Sequence, residues 1–486
     1  MDLARTGFAV TVYERAPTPG GKVRQLTVGG HRMDAGPTVF TLRQIFDELF
    51  ADAGENFDSY VKLSPAGVLA RHAWDGNEHL DLFADPGRTI QAIESFAGRR
   101  EADGFELFTA HAQRIYSTLE HSFIRAARPS PVGLVARLRS QGLADLWNIQ
   151  PFISLWRAAG RYFRDPRLRQ LFGRYATYCG SSPFLSPATL MLIASVEQAG
   201  VWYVDGGLHR VAVELAAAAQ RRGAQFRYST EVSRICLERG RVSGVELAGG
   251  ERVAADAIIC NADTNALATG LFGAEASRCV KPTARCARSL SAVTWNLTAR
   301  TSGFELAHHS VFFSPDYRSE FDDILGRRRL STTPTIYVCA QDRCDTYLAA
   351  SSPARTPRSE RLLCLVNAPP IGDTHLFSTA EIDACESRIY ERLATFGLTI
   401  HREASAATAT SPTDFNRLFP ATGGALYGPA SHGWMASFRR PGSRSALPGL
   451  YLAGGSSHPG PGVPMAAISG RLAAARITQD YVSTAA

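Results

Sequence analysis

An acidic residue and a glycine turn near the start of the chain follow the order found in nucleotide-binding sites. Glu14 ends an alternating run rich in β-branched and aromatic residues, residues 8–13, which is typical of a strand. In doubly wound nucleotide folds, an acid at the end of the second strand accepts a hydrogen bond from a ribose hydroxyl. Residues 17–22, Pro-Thr-Pro-Gly-Gly-Lys, then form a turn that ends in a cation. Taken alone, Glu14 is also explained as a solvated carboxylate at a strand end.

A second candidate for anion binding lies near the C terminus. Residues 449–453 form an apolar strand that leads into a glycine-rich loop, residues 454–465, and then into a helix from about 466 to 481. The first backbone N–H groups of a helix have no partner within it and point along the helix dipole, so they bind anions. The alternative is a tight turn without a ligand, because one glycine-rich loop is weak support for a site.

The middle of the chain carries elements that continue such a fold. Glycines at 206–207 open an apolar-periodic helix, which ends at Arg221 and Arg222 before the glycine stop Gly223. The pattern then predicts strands at 226–228, 231–235, 242–247 and 257–260, with a hairpin turn at 249–250. A helix, a small meander and a return strand do not begin a free-standing domain, so they predict a sheet that resumes after an insertion.

Pieces of one nucleotide fold therefore recur at the start, the middle and the end of the chain. The chain has 486 residues, 45% of them hydrophobic and 20% charged, so it can bury a substantial core and is not disordered. The pattern predicts an α/β protein with a nucleotide-binding domain assembled from three segments and a second domain built from two insertions. The nucleotide-binding segments are 1–79, 205–288 and 425–486, and the insertions are 80–204 and 289–424.

The first insertion holds most of the positive charge. The chain carries a net charge of +7, and residues 131–176 contribute +6 of it, because Asp145 and Asp165 oppose eight arginines at 137, 139, 157, 161, 164, 167, 169 and 174. Tryptophans, leucines and phenylalanines alternate with these arginines, as in an amphipathic surface that lies on an anionic bilayer. The alternative is an ordinary arginine-rich helical domain. No nucleic-acid-binding fold signature accompanies the charge, so nucleic acid is not the expected partner.

Cysteine usage and hydropathy indicate where the protein works. Nine cysteines are scattered singly without a C-x-x-C motif, which favours a reducing compartment over disulfides or zinc. His308 and His309 have no Cys, Asp or Glu at ligand spacing, so no metal site is expected. No segment could run as ~20 continuous apolar helical residues. These features predict a peripheral protein on the cytoplasmic side of a membrane.

Three segments resemble the FAD-dependent carotenoid desaturases of the bacterial phytoene desaturase family. They are residues 13–23, residues 34–41 and residues 454–465. Other segments are more similar to one branch of that family, the 1-hydroxycarotenoid 3,4-desaturases, which include methoxyneurosporene dehydrogenases. These are residues 171–178, 306–313, 334–343 and 436–441.

The resemblance implies a glutathione-reductase-type FAD-binding domain and gives each motif a part of the cofactor. Glu14 would bind the adenosine ribose, and Val232 would bind the adenine through its backbone. The residues implied along the pyrophosphate are Gly20, Gly21, Lys22, Gly454 and Gly455. The residues implied around the isoalloxazine are Gly36, Pro37 and Thr38, with Gly462, Val463, Pro464 and Met465 at its pyrimidine edge.

The reaction that the resemblance implies is desaturation of an acyclic 1-hydroxycarotenoid at C3–C4, with the flavin as hydride acceptor. A C–H bond beside a polyene is weak because positive charge spreads along the conjugated chain, so the protein mainly has to position a long apolar molecule and exclude water. No catalytic residue or proton acceptor stands out in the sequence, and a quinone and oxygen are both open as electron acceptors. The alternatives are a phytoene desaturase, a carotenoid isomerase, or a flavin-free prenyl or carotenoid carrier.

The chain departs from the family pattern before Asp2. The family's first strand and its G-x-G-x-x-G turn are missing, and residues 3–7 look like the last turn of a helix with its glycine stop. The sequence therefore predicts that a start codon assigned too late has removed these elements, with a degenerate flavin-free protein as the alternative.

Overall fold

Two short parallel strand pairs join distant parts of the chain in the computed structural model, which describes residues 1–76, 78–127, 130–139, 149–344 and 359–482. Thr11–Tyr13 pairs with Gln225–Arg227, and Ile258–Cys260 pairs with Leu450–Leu452. The strand before Glu14 is shorter than the predicted run, because residues 8–10 are not paired as a strand. Each pair has the interleaved connectivity that the sequence predicts.

An opening separates the two parallel pairs. One cavity is lined by residues from both pairs: Val10 and Val12 at the first pair, and Ile258 and Cys260 in the second. Among the strands of the described residues, none is hydrogen-bonded to both pairs. Val12 is 36% exposed, although strands of parallel sheets are normally covered on both faces. The strand edges that face the opening therefore form part of the cavity wall.

An antiparallel meander follows Gln225–Arg227 along the chain. Val232–Glu238, Arg241–Leu247 and Arg252–Ala254 pair in sequence order. The turn between the last two strands contains Gly250, whose φ of +83° is a conformation that residues with a Cβ rarely adopt. The meander places Val232 at the cavity wall. Its first two strands agree with predicted ones to within a few residues, and Arg252–Ala254 was not predicted.

The largest sheet has seven strands and belongs mostly to the second insertion. In order across the sheet, the strands are Leu398–Thr410, Ser291–Gly303, Glu360–Ala368, Ile336–Ala340, His309–Phe312, Val68–Asp75 and Glu78–Phe83. His309–Phe312 and Val68–Asp75 pair in parallel, and the other neighbours are antiparallel. Val68–Asp75 precedes residue 79, so this sheet extends across the first boundary expected from the sequence. The division into domains stays a prediction.

The described residues also contain two smaller sheets and sixteen α-helices. The sheets are a hairpin of Gln25–Val28 and His31–Asp34, and a group of Phe40–Thr41, Val201–Val204 and Leu63–Pro65. The α-helices are Asp2–Arg5, Gln44–Asp52, Pro86–Ala97, Arg99–Leu119, Pro131–Arg139, Leu155–Tyr162, Pro166–Gly173, Leu192–Gln198, His209–Arg221, Thr264–Ala268, Ala274–Ser277, Tyr317–Phe321, Thr379–Thr395, Pro412–Leu418, Ala436–Arg439 and Val463–Val482. Within the described residues, no helix has both the length and the apolar character needed to cross a bilayer.

Packed phenylalanines hold the helices of the first insertion together. Phe108 and Phe163 lie against Phe172 with ring centroids 4.9 and 4.6 Å away, and all three are buried. Asp165 caps the helix Pro166–Gly173 by accepting from the backbone N–H of Arg167. Because this helix is held at both its cap and its apolar face, the 3₁₀ turn Arg174–Cys179 that follows it has a fixed place beside the cavity.

Candidate functional site

A large cavity of about 1880 Å³ runs between the parallel pairs and the seven-stranded sheet. Small-molecule sites usually have roughly 300–1000 Å³, so this volume suits a large cofactor together with a second long ligand. Every residue that the sequence assigned to the cofactor lines it: Glu14, Gly20, Gly21, Lys22, Gly36, Pro37, Thr38, Val232, Gly454, Gly455, Gly462, Val463, Pro464 and Met465. Their individual roles stay predictions, but the structure brings all of them to one surface.

Glu14 is held at the carboxyl end of its strand. Its backbone N–H donates to the carbonyl oxygen of Arg227 at 2.9 Å, and its own carbonyl accepts from Thr230 at 2.9 Å. One carboxylate oxygen, Oε1, accepts from the backbone N–H of Ala16 at 2.7 Å. The carboxylate therefore stabilises the turn that follows the strand, and its second oxygen can accept from a ligand.

Two of the glycines are required by the turn itself. A Cβ on Gly20 would lie 2.2 Å from the carbonyl oxygen of Val23, and a Cβ on Gly36 would lie 1.9 Å from that of Lys22. Gly21 differs, because a Cβ there would meet nothing within 4 Å. Gly21 thus presents bare backbone to the cavity, which lets a phosphate approach closely.

Two buried cations lie near these turns. The Lys22 ammonium donates to the carbonyl oxygen of Leu426 at 2.7 Å and lies 5.3 Å from the ring centroid of Phe419. Burial lowers the pKa of Lys22, and the Asp263 carboxylate partly offsets this. Arg440, which is 4% exposed, donates to the carbonyls of Gly455, Tyr427 and Pro429. Burial lowers the pKa of Arg440 to about 10. The described side chains give neither cation a short ion pair, which suits a site for an anion.

The C-terminal helix begins at the cavity. Val463–Val482 is 20 residues long, and its first bonded N–H belongs to Ala466, which donates to Gly462 at 2.9 Å. The N–H groups of Val463 and Met465 precede that bond, and both residues line the cavity. A helix of this length concentrates positive potential at its first turn.

These features fit FAD. The free carboxylate oxygen suits a ribose, bare glycine backbone and buried cations suit a pyrophosphate, and a helix N terminus suits the electron-rich edge of a flavin. Asp263 adds an independent sign, because its Oδ2 is buried at the cavity wall without a hydrogen-bond partner in the described structure. An orphaned buried oxygen of this kind is explained by a ligand that donates to it.

Comparison with known proteins gives the family. The sequence profile described as flavin containing amine oxidoreductase matches residues 1–478. The chain belongs to that family. A hydroxyneurosporene desaturase from Rubrivivax gelatinosus is 53% identical over 483 residues, which cover 99% of this chain and 91% of the relative. A 1-hydroxycarotenoid 3,4-desaturase from Flavobacterium sp. (strain P99-3) is 28% identical over 499 residues, covering 99% and 96%. The resemblance to bacterial carotenoid desaturases is confirmed, and so is FAD as the cofactor.

The fold agrees with the family as well. An oxidoreductase of known structure from Methanosarcina mazei superimposes with a TM-score of 0.58 over 98% of this chain and 96% of its own. The two share 16% sequence identity, so this likeness concerns the fold alone. The predicted α/β class is confirmed.

A polar cluster in the flavoprotein's cavity escaped the sequence analysis. Thr38 and Tyr337 share a hydrogen bond of 2.7 Å between their hydroxyl oxygens, and Tyr337 also bonds Nδ1 of His309 at 2.7 Å. Arg174 lies over the Tyr337 ring, and Glu197 lines the same cavity. A sequence signal did exist, since Arg174 and Glu197 bracket a run of 22 residues without Asp, Glu, Lys or Arg.

Asp34, within the second family motif, has a structural role instead. Its carboxylate accepts from the backbone N–H groups of Leu208 at 2.5 Å and His209 at 3.2 Å, at the start of helix His209–Arg221. Burial raises the pKa of Asp34, although these bonds oppose the shift. A Cβ on Gly207 would lie 2.7 Å from Oδ2 of Asp34, which explains the glycine there.

The histidine pair has a neighbour that the sequence spacing concealed. In the described residues, the ligand atoms of His308, His309 and Cys339 all lie within 4.8 Å of one another. His309 and Cys339 are register partners on adjacent strands, far apart in sequence. Burial raises the pKa of the Cys339 thiol, so the thiol is protonated when no metal is bound. That the protein binds no metal stays a prediction.

The structure describes part of the arginine-rich segment 131–176, and residues 140–148 lie outside the described residues. Several apolar side chains of the described part, such as Leu155, Leu168 and Phe172, are buried in the core. Of the arginines counted with them, Arg167 pairs with Asp165 and Glu78. These side chains pack internally, whereas Phe152, Arg157, Arg161 and Arg164 of the same segment are exposed, and membrane association stays a prediction.

One exposed apolar surface combines a side chain of this segment with two from elsewhere in the chain. Phe152, Leu185 and Trp434, here called the mouth patch, are 71%, 51% and 44% exposed. The Phe152 and Trp434 rings lie 5.4 Å apart, and the carbonyl of Leu185 accepts from Gly433 at 2.9 Å. Because Trp434 also lines the cavity, the patch marks a place where the cavity reaches the surface.

Proposed function

We propose that the protein is an FAD-dependent carotenoid desaturase that introduces the C3–C4 double bond of an acyclic 1-hydroxycarotenoid. The observation that carries the proposal is a cavity that joins the FAD residues to a long apolar wall. Leu190, Ile193, Val196, Val311, Leu363 and Leu365 are among the side chains of that wall. The names of the two relatives given above support the same substrate class, and the name of the Flavobacterium relative also supports the same bond.

The chain's own contribution is binding and exclusion of water. Bound FAD would supply the hydride acceptor for the oxidation. The apolar side chains of the wall hold a polyene by burial, at roughly 25 cal/mol per Å² of apolar surface. Thr38 and Tyr337 stand where the FAD residues meet this wall. They place the oxidisable end of the pigment beside the cofactor's ring.

We also propose that the protein meets the cytoplasmic face of the membrane through the mouth patch. A carotenoid is dissolved in lipid, so a cavity that opens beside exposed aromatic side chains lets the pigment enter without crossing water. Arg157, Arg161 and Arg164 are exposed and follow Phe152 closely in sequence. Arginines beside apolar side chains suit an anionic lipid surface.

The test of the reaction is a direct conversion. The purified full chain is incubated with FAD and vesicles that contain 1-hydroxyneurosporene, in air and with a soluble quinone in parallel. We expect a product two hydrogens lighter that absorbs at longer wavelength. Phytoene should react poorly, because its short triene stabilises positive charge less than a long polyene does.

The other outcomes separate the rival functions. An isomerase would change the pigment's retention time without changing its mass, and a carrier would return it unaltered. Rapid desaturation of phytoene without turnover of the hydroxylated pigment would contradict the proposed substrate and leave the family unchanged.

A further inference from the structure

Arg174 is a cation that projects into an apolar cavity. It begins the 3₁₀ turn Arg174–Cys179 and lines the cavity wall. Its guanidinium carbon lies 5.2 Å from the ring centroid of Tyr178 and 5.7 Å from that of Tyr337. The side chain keeps some accessible surface although it lies deep in the protein, because that surface faces the cavity. A charge in such a place is costly without partners.

The partners of Arg174 form a short relay to a carboxylate. Arg174 Nη1 donates to the Tyr178 hydroxyl at 3.2 Å, and that hydroxyl donates to Glu197 Oε1 at 3.0 Å. The second oxygen of Glu197 accepts from the hydroxyl of Tyr175 at 2.6 Å. The positive and negative charges are therefore balanced within the protein, so the cluster does not call for a second ion.

The guanidinium still has hydrogen-bonding capacity toward the cavity. A guanidinium offers five N–H donors, and in the described structure one of them has a side-chain acceptor, the Tyr178 hydroxyl. The remaining donors face a space whose other walls are mostly apolar. The ligand that suits them has one neutral oxygen on an otherwise apolar body, because an anion would be repelled by Glu197.

The position of the cluster also restricts which part of a ligand reaches it. Tyr337 lies under Arg174 and is hydrogen-bonded to Thr38, which the family resemblance implies beside the isoalloxazine. An oxygen held by Arg174 is therefore close to the carbons that react. In a 1-hydroxycarotenoid, only C2 separates the hydroxylated carbon from C3, so the hydroxyl meets this requirement.

We propose that Arg174 and Tyr178 bind the 1-hydroxyl group of the substrate and thereby select hydroxylated carotenoids. This inference rests on the proposed function and names the residues that determine its specificity. Arg174 donates to the hydroxyl oxygen, and Tyr178 fixes the guanidinium while Glu197 balances its charge. A pigment without the hydroxyl leaves those donors unpaired in an apolar site, which is how polar pockets reject apolar analogues.

The experiment compares two pigments that differ only in the hydroxyl, 1-hydroxyneurosporene and 1,2-dihydroneurosporene. Binding of each pigment to the full chain is followed by quenching of tryptophan fluorescence, and turnover is measured with both. We expect the wild type to bind the hydroxylated pigment about 10- to 100-fold more tightly, the range for a hydrogen bond to a charged group. Arg174→Gln should remove most of this preference, and Tyr178→Phe should reduce it several-fold.

Tyr175→Phe is the matched control. It removes a hydrogen bond to the same carboxylate, but Tyr175 is 4% exposed and is not part of the cavity wall. Its preference between the two pigments should equal that of the wild type. If Arg174→Gln does not fold, Tyr178→Phe still tests the proposal.

Three results would overturn the inference. The first is that the wild type binds both pigments with equal affinity. The second is that Arg174→Gln and Tyr178→Phe weaken the binding of both pigments equally. The third is that Tyr175→Phe loses the preference for the hydroxylated pigment. Failure of the proposed function looks different, since the wild type would then desaturate neither pigment. The ratio of the two dissociation constants still decides the inference in that case.

Discussion

The two ends of the cavity are built from different parts of the chain. The cofactor end is made mostly of backbone: the Gly20–Gly21 turn, the glycines after Leu450–Leu452, and the N terminus of Val463–Val482. The substrate end is made of side chains, with Arg174 from a 3₁₀ turn, Glu197 from a helix and Tyr337 from the seven-stranded sheet. Backbone sites depend on local sequence, whereas side-chain sites depend on tertiary packing.

This difference has a consequence for mutation. At the cofactor end, an added side chain changes the course of the chain itself, so folding and cofactor binding should fail together. At the substrate end, a polar group can be removed while the surrounding core remains, so specificity should change before stability does. The predictions that follow test this contrast, beginning with the largest effect.

Gly36→Ala should be the most damaging of the substitutions. Its Cβ would lie 1.9 Å from the carbonyl oxygen of Lys22, a backbone atom that cannot move aside alone. We expect a loss of stability of about 3 kcal/mol and no retained FAD, measured by thermal unfolding and by flavin absorbance after gel filtration. Gly21→Ala is the control for stability, since its Cβ meets nothing within 4 Å and only its φ of +56° is strained. It should lower the free energy of unfolding by about 1–2 kcal/mol. An equal loss of stability from both substitutions would contradict the contrast.

Glu14→Ala should weaken FAD binding about 10- to 100-fold, because a hydrogen bond to a charged group contributes about 1.5–3 kcal/mol. The measurement is titration of FAD into the flavin-depleted full chain. Glu14→Gln should lose less FAD affinity than Glu14→Ala. Its amide oxygen can still accept from the backbone N–H of Ala16, the contact made at 2.7 Å in the wild type. Unchanged affinity in Glu14→Ala would remove this residue from the cofactor site.

The same contrast explains what the sequence could predict. The turn after Glu14 and the loop before Val463–Val482 are local motifs, and the structure brings both to one cavity. The cluster of Arg174 and Glu197 was missed because Tyr178, which links them, is recognisable as a partner only after the chain has folded. Amphipathic spacing in residues 131–176 cannot distinguish the two environments, since a helix shows its apolar face equally whether that face meets a membrane or a core.

The mouth patch offers a third region, where a smaller effect is expected. Trp434→Ala and Phe152→Ala should each weaken binding to anionic vesicles, because both side chains are exposed and apolar. Arg157→Gln should weaken vesicle binding about fivefold, since one arginine near an anionic surface contributes about 1 kcal/mol. This difference from the wild type should vanish at high salt, because salt screens exposed charges. Vesicle sedimentation measures all three. Arg227→Gln is the control, because Arg227 is already paired with Glu251. Binding unaffected by every mouth substitution would exclude this surface.

The smallest expected effect is a pH dependence of stability at the substrate end. Burial raises the pKa of Glu197 above its ordinary value of 4.5, although the bonds from Tyr175 and Tyr178 and the charge of Arg174 oppose the shift. Below pH 4.5 the carboxyl is protonated in the folded and the unfolded chain, so its contribution to stability is complete. As the pH rises through the folded pKa, the unfolded chain releases the proton more readily, and that contribution is lost.

Glu197→Gln removes this titration and keeps an acceptor for the tyrosines. Its Tm relative to the wild type should therefore rise by about 1–3 °C between pH 4 and pH 7. Glu55→Gln supplies a control of opposite sign, because Arg221 lowers the pKa of Glu55. A lowered pKa stabilises the fold above the unfolded value, so the Tm of Glu55→Gln relative to the wild type should fall over the same range. If the relative Tm of both variants falls between pH 4 and pH 7, the pKa of Glu197 is not raised in the folded chain. Burial then does not disfavour the ionised carboxylate that balances Arg174.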